Sequence, residues 1–166
     1  MGNGCMSINA VKTVDAPTPK FKLIVVGDTG VGKTSVIQRY ARNFFSSEYI
    51  PTELLNIESV VRKLSIPDQG IVTVELWDVP TCDELSTRKT YYMDTDAVIV
   101  VVDVCDEDIA EISNQWRLDA VTNIVTSKGE LSLENGIKNQ PQVEKSHHSP
   151  KAGSIPVLLL GNKFDI

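Results

Sequence analysis

GDTGVGKT, residues Gly27 to Thr34, is the stretch that decides how this chain is read. Before it lies Phe21 to Val26, an apolar, β-branched run that stops at a glycine, as a buried strand does. After it, Lys33 to Arg42 carries apolar residues at Val36, Ile37, Tyr40 and Ala41, which is helical spacing. The stretch is therefore a turn from strand to helix. Gly27, Gly30 and Gly32 let its backbone curl so that N–H groups point inward at an anion. The helix that follows adds its positive N-terminal end.

The same residues fit the P-loop pattern G-x-x-x-x-G-K-[ST]. With average residue usage, chance would produce that pattern in a chain this long less than about 1% of the time. Lys33 brings a cation to the β- and γ-phosphates of a nucleotide, and Thr34 offers a hydroxyl to Mg²⁺. The phosphate-binding candidates are thus Gly27, Asp28, Thr29, Gly30, Val31, Gly32, Lys33 and Thr34. The pattern specifies a nucleotide phosphate and leaves the base open.

The rest of the chain alternates strands with helices. Leu55 to Ile66 and Ile71 to Trp77 flank the turn residues Pro67-Asp68-Gln69-Gly70 and read as an antiparallel hairpin. Ala97 to Asp103 is a buried strand. Ile109, Ile112, Trp116, Val121 and Ile124 then mark one helical face, with Trp116 in the core. Residues 127–154 are rich in Ser, Asn, Gln, Lys, Gly and Pro, and read as a polar insertion before the last strand, Pro156 to Leu160. Residues 1–19 read as a flexible tail. The expected fold is α/β, with a largely parallel sheet.

Composition narrows the function. The chain has 166 residues, 42% hydrophobic, enough for one core, with a net charge of −6. Its basic residues are scattered, which argues against nucleic acid as the main partner. The three cysteines, Cys5, Cys82 and Cys105, have neither disulfide nor zinc spacing and fit a reducing cytoplasm. His147-His148 reads as solvated loop. No apolar run is long enough to cross a bilayer, and no signal-peptide core is present.

Gly161-Asn162-Lys163-Phe164-Asp165 follows the last strand. Here the chain resembles the small GTPases, whose guanine-reading motif is N-K-x-D. The resemblance covers about Lys20 to Asp165. It implies a P-loop small-GTPase fold, helices on both faces of the sheet, and GTP or GDP with Mg²⁺ as cofactors. Asp165 would read the guanine, Lys163 would lie along the base, and Asn162 would brace the P-loop. Tyr49-Ile50-Pro51-Thr52 resembles the first switch segment, which gives Thr52 a place on Mg²⁺ and at the γ-phosphate. Phe45 stands where the family sets an aromatic against guanine; ordinary core packing is the other reading. Asp78 matches the Asp of D-x-x-G, so the metal candidates are Thr34, Thr52 and Asp78.

VELWDV, YYMDTDAVIVVVDV, NQWRLDA and IPVLLLGNKFD resemble the Rab branch. That implies a nucleotide switch in vesicle traffic, with effector and exchange-factor proteins as partners. Trp77 and Tyr91 match two members of the family's effector-reading aromatic triad, and Ile57 stands where a Phe is expected.

Three departures qualify this. Rabs read W-D-T-A-G-Q-E where this chain reads Trp77-Asp78-Val79-Pro80-Thr81-Cys82-Asp83. Thr81 replaces the glycine that turns onto the γ-phosphate, and Pro80 fixes its own φ and restricts Val79. Cys82 replaces the glutamine that orients the attacking water and is a poor hydrogen-bond partner, so no catalytic residue is assigned and hydrolysis is expected to be slow or absent. After Pro51-Thr52 a Rab continues Ile-Gly, whereas this chain continues Glu53-Leu54. Residues 20–166 also read as a truncated G domain lacking the family's last strand and C-terminal helix. At the other end, Gly2 and Cys5 in MGNGCMS resemble a dual-acylation signal, although Met6 stands where Ser or Thr is usual. That gives a cytoplasmic protein, peripheral on an intracellular membrane if acylated. A pseudo-GTPase scaffold without switching, or a non-functional fragment, stays open as the alternative.

Overall fold

The computed structural model describes residues 18–64, 70–81, 84–130 and 155–165, with the backbone alone for 125–130. In chain order the elements are β1 (Lys20–Val26), α1 (Lys33–Arg42), β2 (Asn56–Lys63), β3 (Ile71–Asp78), α2 (Leu85–Tyr92), β4 (Ala97–Asp103), α3 (Ile109–Glu130) and β5 (Val157–Asn162). The strands form one sheet in the order β2-β3-β1-β4-β5. β1 runs parallel to both β3 and β4, and β4 parallel to β5. Only β2 is antiparallel, paired with β3. The expected hairpin is therefore present, and the Leu64 N–H donates to the Gly70 carbonyl at 2.8 Å to close it.

Alternation along β1 splits the core between two faces. Val25 points to the α1 side, where it packs with Ile37, Leu76 and Val101. Ile24 and Val26 point to the other side, where Tyr92 of α2 and Ala120 and Ile124 of α3 cover them. Both faces of the central strands are buried, which is why their sequences are continuous β-branched runs. Each fully buried Val or Ile there contributes roughly 1.5–3 kcal/mol. Tyr92 is wholly buried and its hydroxyl donates to Asp119 Oδ2 at 2.8 Å. Burial first, and that carboxylate second, push the phenol far above its usual pKa, so it stays protonated.

α1 occupies the residues expected of it. It ends where Asn43 turns left-handed at φ 55°, with its N–H on the Arg39 carbonyl, the Phe44 N–H on the Gln38 carbonyl, and Arg39 and Arg42 in the last turn. α3 is longer than expected: it continues to Glu130, so Ser127 to Glu130, read as the start of the polar insertion, are helical backbone. A helix tolerates Ser, Lys and Glu, and polarity alone does not mark its end. The remainder of the insertion, with His147-His148, and the tail residues Gly2 and Cys5 lie outside the described residues. Among the described residues, no helix is long and apolar enough to cross a membrane.

The topology puts the C-terminal ends of β1, β3, β4 and β5 along one rim of the sheet. After β1 the chain passes to β2 and β3 on one side, and from β3 it crosses to β4 on the other side of β1. That divergence opens a crevice at the strand ends, the usual place for a ligand in such sheets.

Candidate functional site

At this rim β1 runs into Gly27, β3 ends at Asp78, β4 at Asp103 and β5 at Asn162. A cleft of about 1440 Å³ opens there, lined by Lys33 and Thr34 at one end and by Asn162, Lys163 and Asp165 at the other.

The phosphate end is held by close packing. Gly27 adopts φ 146°, and a side chain there would overlap the Val101 carbonyl of β4. Gly32 adopts φ 98° and lies against the Asn162 side chain. Asn162 in turn donates to the Val31 carbonyl at 2.8 Å. Val31 is buried, Asp28 lies behind the loop, and Thr29 and Gly30 line the cleft. No side chain caps the first turn of α1 and no acidic residue sits in it, so the helix end is left to an anion.

Lys33 is only 7% exposed, and its ammonium donates to the Gly27 and Asp28 carbonyls and to Thr81 Oγ1, each at 2.8 Å. Beside it the metal candidates meet. Thr34 Oγ1 donates to Asp78 Oδ2 at 2.6 Å and lies 2.8 Å from Thr52 Oγ1. With Thr34's proton on Asp78, Thr52 is the donor in the second contact. Asp78 is fully buried, and its Oδ1 has no hydrogen-bond partner. Burial raises its pKa, opposed by the Thr34 hydroxyl and the Lys33 charge. Two hydroxyls and a half-satisfied carboxylate are hard oxygen donors, so these residues fit Mg²⁺. Among the described residues no cluster of three or more His, Cys, Asp or Glu competes for a metal.

At the other end, Lys163 sits at φ 64° and its ammonium pairs with Asp103 Oδ2 at 2.9 Å. That contact, followed by the Cys105 N–H, holds the Asp103 carboxyl below its ordinary pKa. Asp165 is exposed on the cleft. Phe45 is 64% exposed at the rim, so core packing is not its role.

Sequence reasoning missed three contacts. Asp103 anchors Lys163; its signal was a strand-terminal Asp, like Asp78. Trp116 is not simply core: its indole N–H donates to Asp28 Oδ1 at 2.9 Å, tying α3 to the phosphate loop. The Thr81 hydroxyl reaches Lys33, which no spacing announced. Trp77 and Tyr91 are partly buried against the α2–α3 core, and Ile57 pairs with Trp77 across the hairpin. Cys82 lies outside the described residues.

A family model for the Ras family matches residues 22–133, which includes the whole phosphate end. The chain belongs to the Ras family. Among curated relatives, the human Ras-related protein Rab-7L1 is 33% identical over 147 residues, 88% of this chain and 60% of that protein. Human Ras-related protein Rab-32 is 27% identical, covering 90% of this chain and 58% of its own length. Ras-related protein Rab-32B of Dictyostelium discoideum is 28% identical, covering 94% and 51%. These relatives put the chain on the Rab-like branch of the small GTPases, and it spans about 60% or less of their length. The five-stranded sheet agrees with the P-loop small-GTPase fold.

Proposed function

We propose that this Ras-family chain binds a guanine nucleotide together with Mg²⁺ and hydrolyses GTP slowly or not at all, as a Rab-like component of vesicle traffic. One observation carries the reading: a single cleft runs from Lys33, Thr34 and Thr52, with Asp78 bonded behind Thr34, to the Asn162–Lys163–Asp165 loop. The reading assigns these roles. The loop from Gly27 to Thr34 surrounds the phosphates. Thr34, Thr52 and Asp78 hold the cation, which when bound supplies positive charge against the phosphate oxygens. The Asp165 carboxylate accepts from donors on the base edge, which guanine offers and adenine lacks. Phe45 covers the rim and Lys163, steadied by Asp103, flanks the base. Cys82 gives an attacking water little orientation.

A second reading, a binding module without switching, draws on Val79 to Thr81. Val79 and Pro80 are buried, and Thr81 is tied to the phosphate loop. In either case effectors and exchange factors are the expected partners, and acylation at Gly2 and Cys5 would supply membrane attachment.

The test is nucleotide content. Purified chain is denatured and the released nucleotide identified, then GDP, GTP and ATP are titrated with and without Mg²⁺. Stoichiometric, Mg²⁺-dependent guanine nucleotide is expected. A protein that arrives empty and ignores all three sinks the proposal. GTP-dependent hydrogen-exchange protection around Thr52 separates a switch from a static module.

A further inference from the structure

We propose that Thr81 is a specificity-determining residue that makes the pocket prefer a nucleoside diphosphate over a triphosphate, by placing its own hydroxyl where the terminal phosphate would meet Lys33. The inference deepens the guanine-nucleotide reading above and rests on it.

An ammonium has three donors. The contacts of Lys33 include three acceptors at 2.8 Å: the carbonyls of Gly27 and Asp28 and the hydroxyl of Thr81. The two carbonyls belong to the loop that surrounds the phosphates. Thr81 arrives from outside it, from the segment after β3. Its hydroxyl also donates to the Gly27 carbonyl at 3.0 Å, so both its donor and an acceptor position are used. In a P-loop the backbone takes the α- and β-phosphates while the lysine reaches on to the β- and γ-phosphates. A group that binds the lysine from beyond the loop therefore competes with the γ-phosphate and leaves the cradle itself open.

Thr81 has little room to withdraw. Val79, two residues before it, is buried in the α2–α3 core and its N–H reaches the Val25 carbonyl at 3.3 Å. Pro80 between them is buried and has a fixed φ. Among the described non-glycine residues positive φ occurs at Asn43, Asp94 and Lys163, so Thr81 does not sit in the left-handed region that glycine favours. Rotating χ1 does not empty the space either, because a β-branched residue exchanges its hydroxyl for a methyl. A glycine would put nothing there.

The test compares the full chain with Thr81→Gly, Thr81→Val and Thr81→Ser. Dissociation constants for GDP and the non-hydrolysable GTP analogue GppNHp are measured in Mg²⁺, with ADP and AMP-PNP alongside. The unaltered chain should prefer GDP over GppNHp by about tenfold or more, as expected for a displaced hydrogen bond to a charged group. Thr81→Gly should bring that ratio to within about threefold, and Thr81→Ser, which keeps the hydroxyl, should retain the preference. Thr81→Val should lie between them, since it keeps bulk without the hydrogen bond. A ratio that Thr81→Gly leaves unchanged overturns the proposal and leaves guanine binding standing. Equal binding of adenosine and guanosine nucleotides overturns the base reading, and the diphosphate-to-triphosphate ratio then still decides the role of Thr81. Four proteins that bind no nucleotide overturn both.

Discussion

The phosphate loop and the segment from Phe44 to Leu54 face the same cleft and are built in opposite ways. The loop is wedged between strands: Gly27 against β4, Gly32 against Asn162, Val31 in the core, and Lys33 bonded on several sides. The other segment carries Phe44, Phe45, Tyr49, Ile50 and Leu54 with more than half of each side chain exposed. Its contact with the site is Thr52 on Thr34. One is a fixed cradle whose shape the fold dictates. The other is largely exposed apolar surface. On the proposed function, recognising a constant phosphate and reporting its presence would need both kinds of region, because a report requires something free to move.

The largest test of this contrast is Lys33→Ala. It should lower nucleotide affinity by about 100-fold or more, since a charge-assisted contact is lost in a buried setting. Calorimetric titration with GDP measures it. Glycine substitution tests the wedging directly. Gly27→Ala forces a side chain into the Val101 carbonyl at positive φ and should destabilise the fold by about 3 kcal/mol, read from denaturant unfolding. Gly30→Ala, at φ 79° with open space around it, should cost only about 1–2 kcal/mol. Equal losses would mean that the loop is not wedged.

Asp78→Asn should remove most of the Mg²⁺ dependence of GDP release while leaving some nucleotide binding, because the hydroxyls of Thr34 and Thr52 remain. Trp116→Phe removes the indole N–H from Asp28 and should cost about 1 kcal/mol of stability with a small change in GDP release. The smallest effect belongs to the base end. The Asp103 carboxyl is held below its ordinary pKa, so the pair with Lys163 is fully present above the usual carboxylate range. It is lost as pH falls through the lowered value. GDP release should quicken by no more than a few-fold over that fall, and Asp103→Asn should reproduce the quickened rate at pH 7.

Much of the phosphate end was legible because it is local. GDTGVGKT carries its strand, glycine turn, lysine and helix in consecutive residues, and α1 has the bounds its periodicity implied. The hairpin was legible for the same reason. The end of α3 was not, because a polar composition is compatible with helix as well as with loop. Trp116 was assigned to the core because periodicity finds a face but not a hydrogen bond. Its partner Asp28 is 88 residues away in sequence.

By itself the sequence determined the α/β alternation, the phosphate cradle and the residue types suited to a cation and a base edge, since each is written in short-range order. Tertiary structure decided which of them meet. Parallel pairing brings Asp103 level with Asn162, and so puts an anchor beside Lys163. The pairing of β1 with β3 sets Asp78 level with Val25, and from there the chain delivers Thr81 to Lys33. Those encounters depend on the register between strands far apart in the chain, and register is fixed by burying both faces of the sheet at once.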